Sequence, residues 1–170
     1  LAPDAVSVKA TVTNAGNLPF HFDRFDAPRL DLAPGFSARP LWTMQGAAVH
    51  WGQDFAFELP STFSRENFLG HVQDGEGGGI PLLYFWNKSR GIALMHIEPK
   101  PKDWYMPVEA DENGVSAALQ LRQPVTLQPG ESFGGLKTVI SLHTGDFFAP
   151  LAFYRELLAA QGVQAPQPVP

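Results

Sequence analysis

An antiparallel β-sandwich closed by one C-terminal helix is the fold this sequence predicts. Three observations lead there. Runs of strand length, either alternating or continuously apolar, recur along the 170 residues. Gly and Pro, 16 of each, separate those runs and would break long helices. A helical stripe of apolar residues stands out only near the end, at Phe147, Leu151, Tyr154 and Leu158.

Val6, Val8, Ala10 and Val12 alternate with Ser7, Lys9, Thr11 and Thr13, which predicts one half-buried strand. Asn14-Ala15-Gly16-Asn17 reads as a turn, and Leu18, Phe20, Phe22 and Phe25 as a returning strand. Residues 26–40 hold Pro28, Pro34 and Pro40, so they read as loop with at most a short strand at Leu30–Leu32. Leu41–Met44 and Phe55–Leu59 are short strands around a turn with Gly46 and Gly52. Pro81–Trp86 is a continuous apolar run, expected to be a strand buried on both faces. Asn87–Gly91 turns it back into Ile92–Glu98. Trp104–Val108, Val115–Arg122, Val125–Leu127 and Lys137–His143 complete about ten strands. The helix is expected to take Asp146 as its cap, Pro150 in its first turn and Gly162 past its end. The domain reading is therefore sandwich 1–145, helix 146–162 and a Pro-rich linker at 163–170. The Leu1 start and this linker suggest a piece of a longer protein.

Composition narrows the function classes. The net charge is −5 and the 12 basic residues are scattered, which argues against a nucleic-acid surface. No apolar run approaches the ~18 residues of a membrane span. Cysteine is absent, which removes disulfides, thiol nucleophiles and Cys-based zinc sites but leaves cytoplasm and periplasm both open. His21, His50, His71, His96 and His143 lie too far apart for a zinc hairpin or helix, so no metal or other cofactor is expected. Asp111-Glu112-Asn113-Gly114 lacks the ligand pattern of a calcium loop and reads as a turn.

Two loops hold the candidate binding residues. Gly75-Glu76-Gly77-Gly78-Gly79 has no following Lys, and Asp74 and Glu76 would repel a phosphate. The loop reads either as a flexible connection or as a close approach to a neutral polyol. In the second case Asp74 and Glu76 accept hydroxyl hydrogen bonds and His71 donates. Trp51 beside Asp54 offers an aromatic face and a carboxylate, a combination sugars use, or else Trp51 packs over the sandwich edge. Trp86 reads as core and Trp104 as a cover for one end. His96 and Glu98, two apart on one expected strand, form a weaker acid/base candidate. No Ser lies in a nucleophile elbow.

Several stretches together resemble a known family. They are Phe63–Gly70, Gly78-Gly79-Ile80-Pro81, Trp86, Gly91–Glu98, Leu127-Gln128-Pro129-Gly130-Glu131-Ser132, His143–Phe148 and Leu151–Arg155. Over about two-thirds of the chain, their order and spacing resemble the N-terminal, galactose-mutarotase-like β-supersandwich domain of bacterial α-galactosidase-like glycoside hydrolases (glycoside hydrolase family 36 and its clan). The resemblance implies a downstream (β/α)8 barrel that carries two catalytic Asp residues and performs retaining hydrolysis of α-galactosides. It implies no catalytic residue in this segment, and a sandwich loop reaching the barrel's carbohydrate site in its own or a neighbouring subunit. By position that loop would carry Trp51 and Asp54, or His71, Asp74 and Glu76. Some N-terminal strands of a full supersandwich would be missing. Oligomeric state stays open. The alternatives are a stand-alone carbohydrate-binding or assembly module, and a sugar epimerase or lyase using His96 and Glu98.

Overall fold

A hairpin from Leu82 to His96 runs through the middle of the molecule, and its two faces feed two separate cores. The computed structural model describes residues 4–34, 39–46, 56–69, 79–87, 90–98, 104–135 and 137–163. In chain order the strands begin with β1 (Ala5–Val8), β2 (Thr11–Thr13), β3 (Phe20–Phe22), β4 (Phe25–Leu32) and β5 (Trp42–Gln45). Next come β6 (Phe57–Glu58), β7 (Phe63–Arg65), β8 (Phe68–Leu69), β9 (Leu82–Asn87) and β10 (Arg90–His96). They end with β11 (Trp104–Tyr105), β12 (Val108–Asp111), β13 (Gly114–Leu121), β14 (Val125–Leu127), β15 (Ser132–Gly134) and β16 (Thr138–Thr144), before helix α1 (Phe148–Ala159).

The first sheet has the order β1-β16-β10-β9-β5-β6, all antiparallel. The second is built around β13. β4 flanks it on one side; β12 and β11 share the other and continue into β7 and β8. Strand alternation decides what faces what. Leu83, Phe85 and Leu94 point into the space between the sheets and meet Leu32, Trp104, Val108, Val115, Leu119 and Leu121. Leu82, Tyr84, Trp86, Ala93 and Met95 point the other way, where α1 lays Phe147, Leu151, Phe153, Tyr154 and Leu157 over them. The β9 run is thus buried on both faces, as its composition predicts. Trp86 is core. Trp104 is also core rather than an end cover, because its register partner Leu69 places it over the inter-sheet space.

Four expectations need correction. Val6–Thr13 is two strands. Gly135 meets the break: its N–H donates to Ala10 O at 2.7 Å, and a side chain there would press on the Phe25 ring. The ribbon bends at that point, so β2 and β15 leave the first sheet as a pair of their own. The Phe20–Phe22 strand pairs with β14, not with its sequence neighbour. Residues 25–32 are an eight-residue strand rather than loop. Pro28 is tolerated because β4 is an edge strand, and the pairing with β13 shifts register between Ala118 and Gln120, opposite the proline. Trp104–Val108 is two strands broken at Met106-Pro107, where Pro107 cannot donate.

The helix begins one residue later than its expected cap allows. Phe147 occupies the cap position without a side-chain bond, while Asp146 accepts from the Phe148 N–H at 3.1 Å. Leu157 rather than Leu158 completes the stripe against the core. The C-terminus closes as expected at Gly162, φ 84°. Gly162 N–H donates to Ala159 O and Val163 N–H to Leu158 O, the paired bonds of a Schellman turn.

The outer face of β13 is sealed by polar groups. Buried Gln120 donates to Asp26 at 2.9 Å and accepts from Arg122. Arg122 lies 4.1 Å over the Tyr105 ring and pairs with Glu66 at 2.7 Å. Arg24 bonds Asp26 and holds its carboxyl below the usual range, against the opposing effect of burial.

Gly91 shows how tightly the helix-side core is set. A Cβ there would stand 2.4 Å from the Tyr84 hydroxyl and the ring carbon that bears it, and this ring stacks on Trp86 at 5.1 Å. Gly91→Ala is expected to lower stability by about 1–3 kcal/mol through overpacking. In urea denaturation, Gly91→Ala with Tyr84→Leu should cost less than the sum of the two single changes.

Candidate functional site

All five sequence-predicted site residues lie outside the described residues: Trp51 and Asp54 in 47–55, His71, Asp74 and Glu76 in 70–78. What the structure fixes is where those segments are rooted. Segment 47–55 leaves β5 after Gly46 and returns at Ala56. Segment 70–78 leaves β8 after Leu69 and returns at Gly79. The roots are hydrogen-bonded neighbours. Ile80 N–H donates to Gly46 O at 2.9 Å, and Gly46 N–H donates to Leu82 O at 2.9 Å. Gly46 has to be glycine here, since a Cβ would stand 2.6 Å from Ile80 O.

A third segment, 99–103, shares this rim. It departs beyond His96, whose N–H donates to Pro81 O at 2.9 Å, and it arrives at Trp104, paired with Leu69. Three connections that are remote in sequence therefore spring from one end of the sandwich. Rigid strand ends carrying clustered loops are a common way to build a binding site.

Below the rim the interior turns polar. Gln45, Asn67, His96 and Thr138 are all buried there. Asn67 Nδ2 donates to Gln45 Oε1 at 2.8 Å and to Met106 O at 3.1 Å; Met106 N–H returns a bond to Asn67 O at 3.0 Å. Asn67 sits at φ 49°, a conformation Asn adopts more readily than most residues. This clasp ties the end of β5 to the entry of β8, close to where both candidate segments are rooted. Nearby Arg65 lies 5.3 Å from both the Phe57 and Phe63 ring centroids, and burial lowers its pKa. The polar spacing of Gln45 and Asn67 carried no sequence signal, because a Gln at a strand end and an Asn between strands look like ordinary surface residues.

The acid/base candidates lie at the end of β10 and just beyond it. His96 ends β10 and is buried, whereas Glu98 lies past the strand and accepts from the Lys137 N–H at 3.3 Å. Among the described residues no group of three or more His, Cys, Asp or Glu is placed to hold a metal ion.

A second polar feature lies on the outer face of the second sheet. An open depression of about 530 Å³ is lined by Arg29, Asp31, Ser64, Glu109, Asp111 and Ser116 among others. Register aligns Asp31, Ser116, Glu109 and Ser64 in one row across β4, β13, β12 and β7. Asp111 accepts from the backbone and side chain of Asn113 and the Gly114 N–H, which lowers its pKa.

His143 is the titratable group beneath α1. Its Nε2 lies 2.8 Å from Ser141 Oγ, with Tyr84 and Phe153 as ring neighbours at 6.1 and 5.5 Å. Tyr84 donates to Gly145 O at 3.1 Å, and burial pushes its pKa up to about 12.

No family model matches the chain, and no curated protein matches it in sequence. Solved structures do match in fold. Glycoside hydrolase family 36 α-galactosidase AgaB from Geobacillus stearothermophilus superposes with TM-score 0.57 at 14% identity, over 84% of this chain and 20% of its own. The α-galactosidase of Lactobacillus brevis gives 0.60 at 14% identity, over 83% and 20%. The galactosidase domain of the α-galactosidase–sucrose kinase AgaSK gives 0.57 at 13% identity, over 84% and 20%. The chain thus has the fold of part of these α-galactosidases and spans about a fifth of their length.

Two predictions follow from the geometry. Burial lowers the His143 pKa, with Asp4 opposing, so the native state holds the ring neutral while the unfolded chain protonates near 6.5. The associated stability is full above that value and is lost as pH falls through the lower folded pKa. Thermal midpoints between pH 7.5 and 5 should decline, and His143→Asn should flatten that decline. Separately, Asn67→Ala removes the donors to Gln45 and Met106 and puts Ala in the left-handed region. It should cost about 2–4 kcal/mol by urea denaturation.

Proposed function

We propose that residues 1–170 are the N-terminal β-sandwich portion of a retaining glycoside hydrolase acting on α-galactoside-type substrates. In this reading the portion cleaves no bond itself. It supports a (β/α)8 barrel and lends the rim segments 47–55 and 70–78 to the barrel's sugar site. The observation that carries the reading is the fold match, which takes in most of this chain but only a fifth of each α-galactosidase. Two related AgaA variant structures are complexes with stachyose and with raffinose, both superposing above TM-score 0.5.

The described carboxylates fit a supporting role. A retaining hydrolase needs a proton-holding acid with a raised pKa beside a second carboxylate about 5–5.5 Å away. The described carboxyls with displaced pKa, Asp26 and Asp111, are both displaced downward by the bonds they accept. The shared rim adds a route for Trp51, Asp54, His71, Asp74 and Glu76 to act together on one sugar, through stacking and hydroxyl hydrogen bonds.

A second reading, a stand-alone carbohydrate-binding or assembly module, draws on the outer-face row Asp31, Ser116, Glu109 and Ser64, whose oxygens suit hydroxyl groups.

The longer polypeptide containing these residues should hydrolyse an aryl α-galactoside, and residues 1–170 alone should not. In the longer protein Trp51→Ala should raise KM more than it lowers kcat. Hydrolysis by 1–170 that disappears with Asp74→Asn or Glu76→Gln would overturn the division of labour. Saturable oligosaccharide binding by 1–170, read by Trp fluorescence and lost with Glu109→Gln, would favour the module.

A further inference from the structure

On the helix side of the first sheet a stack of rings runs outward and ends in the open. Tyr84 lies 5.1 Å from Trp86 with their planes 15° apart, and Trp86 lies 6.3 Å from Trp42 with planes 29° apart. Register sets Trp42 opposite Trp86 on one side and opposite Glu58 on the other. Among the described residues β6 is the last strand at this end of the sheet, so no further ring lies beyond Trp42. Exposure rises along the stack: Tyr84 is fully buried, Trp86 is 9% exposed and Trp42 39%. Glu58 shares this face, because Ala56, two residues earlier, packs into the helix-side core, and Glu58 is exposed. Leu59 N–H donates to Leu41 O at 2.8 Å. Trp42 and Glu58 are therefore the next, non-hydrogen-bonded pair, with Cα atoms about 4.5 Å apart and side chains close. Among the described residues neither the Trp42 indole N–H nor the Glu58 carboxylate has a hydrogen-bond or ion-pair partner.

We propose that Trp42 and Glu58 form a surface subsite for a pyranose ring, separate from the rim segments. Trp42 begins β5, and the four residues of that strand, about 13 Å, lie between it and the root of segment 47–55. The arrangement of the rings selects the ligand class. A quaternary ammonium is best held where several ring faces converge on it. Here the rings pack on one another, and the surface of Trp42 is what they leave uncovered. A pyranose matches that surface, because it has an apolar face of C–H groups that leaves water on stacking and an edge of hydroxyls. The Glu58 carboxylate accepts from the hydroxyls at that edge, and the indole N–H donates to a sugar oxygen. Trp86 packs against the indole, so the platform loses little freedom when a sugar settles on it. A second copy of the chain fits the surface poorly, since one ring and one carboxylate fall far short of the ~1,000 Å² a stable interface needs. The subsite needs no barrel and stands apart from the reading under Proposed function.

The test uses residues 1–170 carrying Trp51→Phe, so that the rim tryptophan contributes no signal. The probes are methyl α-galactopyranoside, methyl α-glucopyranoside and raffinose. Trp emission and saturation-transfer NMR of the sugar C–H protons should show saturable binding with Kd on the order of 1–10 mM. Trp42→Ala should abolish it. Glu58→Gln leaves the ring stack in place and should weaken it about tenfold. Far-UV circular dichroism and the thermal midpoint check that both variants fold, and Glu58→Gln decides the matter if Trp42→Ala does not. No binding of any probe up to about 50 mM would overturn the proposal, as would binding that Glu58→Gln leaves unchanged. Tetramethylammonium binding more tightly than every sugar and lost with Trp42→Ala would assign the surface to a cation instead. Concentration-dependent dimerisation lost with Trp42→Ala would assign it to a second copy. Either result would also overturn the proposal. Hydrolysis is measured on the longer protein, so a failure here leaves the reading under Proposed function untouched.

Discussion

Strands β9 and β10 lose water from both faces, so every peptide group in them must find its partner within the sheet. That requirement sets the rest of the molecule. A one-residue slip would send Tyr84 and Trp86 into the space between the sheets and Leu83 and Phe85 under the helix. The helix-side core has no room for the exchange, because Gly91 leaves only enough space for the Tyr84 ring. With the hairpin fixed, β16 and β5 are placed on either side, the second sheet covers one face and α1 the other. Each covering element buries aromatic or aliphatic side chains worth about 1.5–3 kcal/mol apiece.

The same hairpin gathers the rim. The start of β9 and the end of β10 lie at one end of the sheet, beside the end of β5. Pairing in the second sheet brings β8 and β11 to the same end. The buried clasp of Gln45 and Asn67 then joins the two sheets just beneath. Polar groups in a core are costly unless bonded, and here they sit where the sandwich must hold its loops rather than where it must merely be stable.

Much of this was legible in the amino-acid pattern. The continuous apolar run Pro81–Trp86, the Gly162 stop and the turn at Gln128–Glu131 each obey a local rule, and each has its expected structure. What escaped were features set by partners far away. Pro28 reads as a strand breaker until β13 supplies an edge for it. Val6–Thr13 reads as one strand until distant Gly135, which donates to Ala10 O, meets its middle. The two candidate segments could be named from composition, but their shared root could not, since Gly46 and Ile80 lie far apart in sequence. Trp104, beside charged neighbours, looked like a cover and is core because of its pairing with Leu69.

Asn14 carries a consequence for how such a chain is made. Its side chain donates to Leu127 O, 113 residues ahead, while its backbone exchanges bonds with Glu131 and Gly130. Among the described residues, the first ribbon, β1 with β2, pairs with β16 and β15 alone. During synthesis these early residues emerge long before their partners exist. The helix-side and inter-sheet cores can begin to form around β9, β10 and β13 while the N-terminal arm still waits in solution. Contacts of such wide sequence separation are slow to close. Residues 5–13 are thus among the later parts of this sandwich to be folded, and a ribosome stalled before residue 125 would hold their alternating valines without β15 and β16 to pair with.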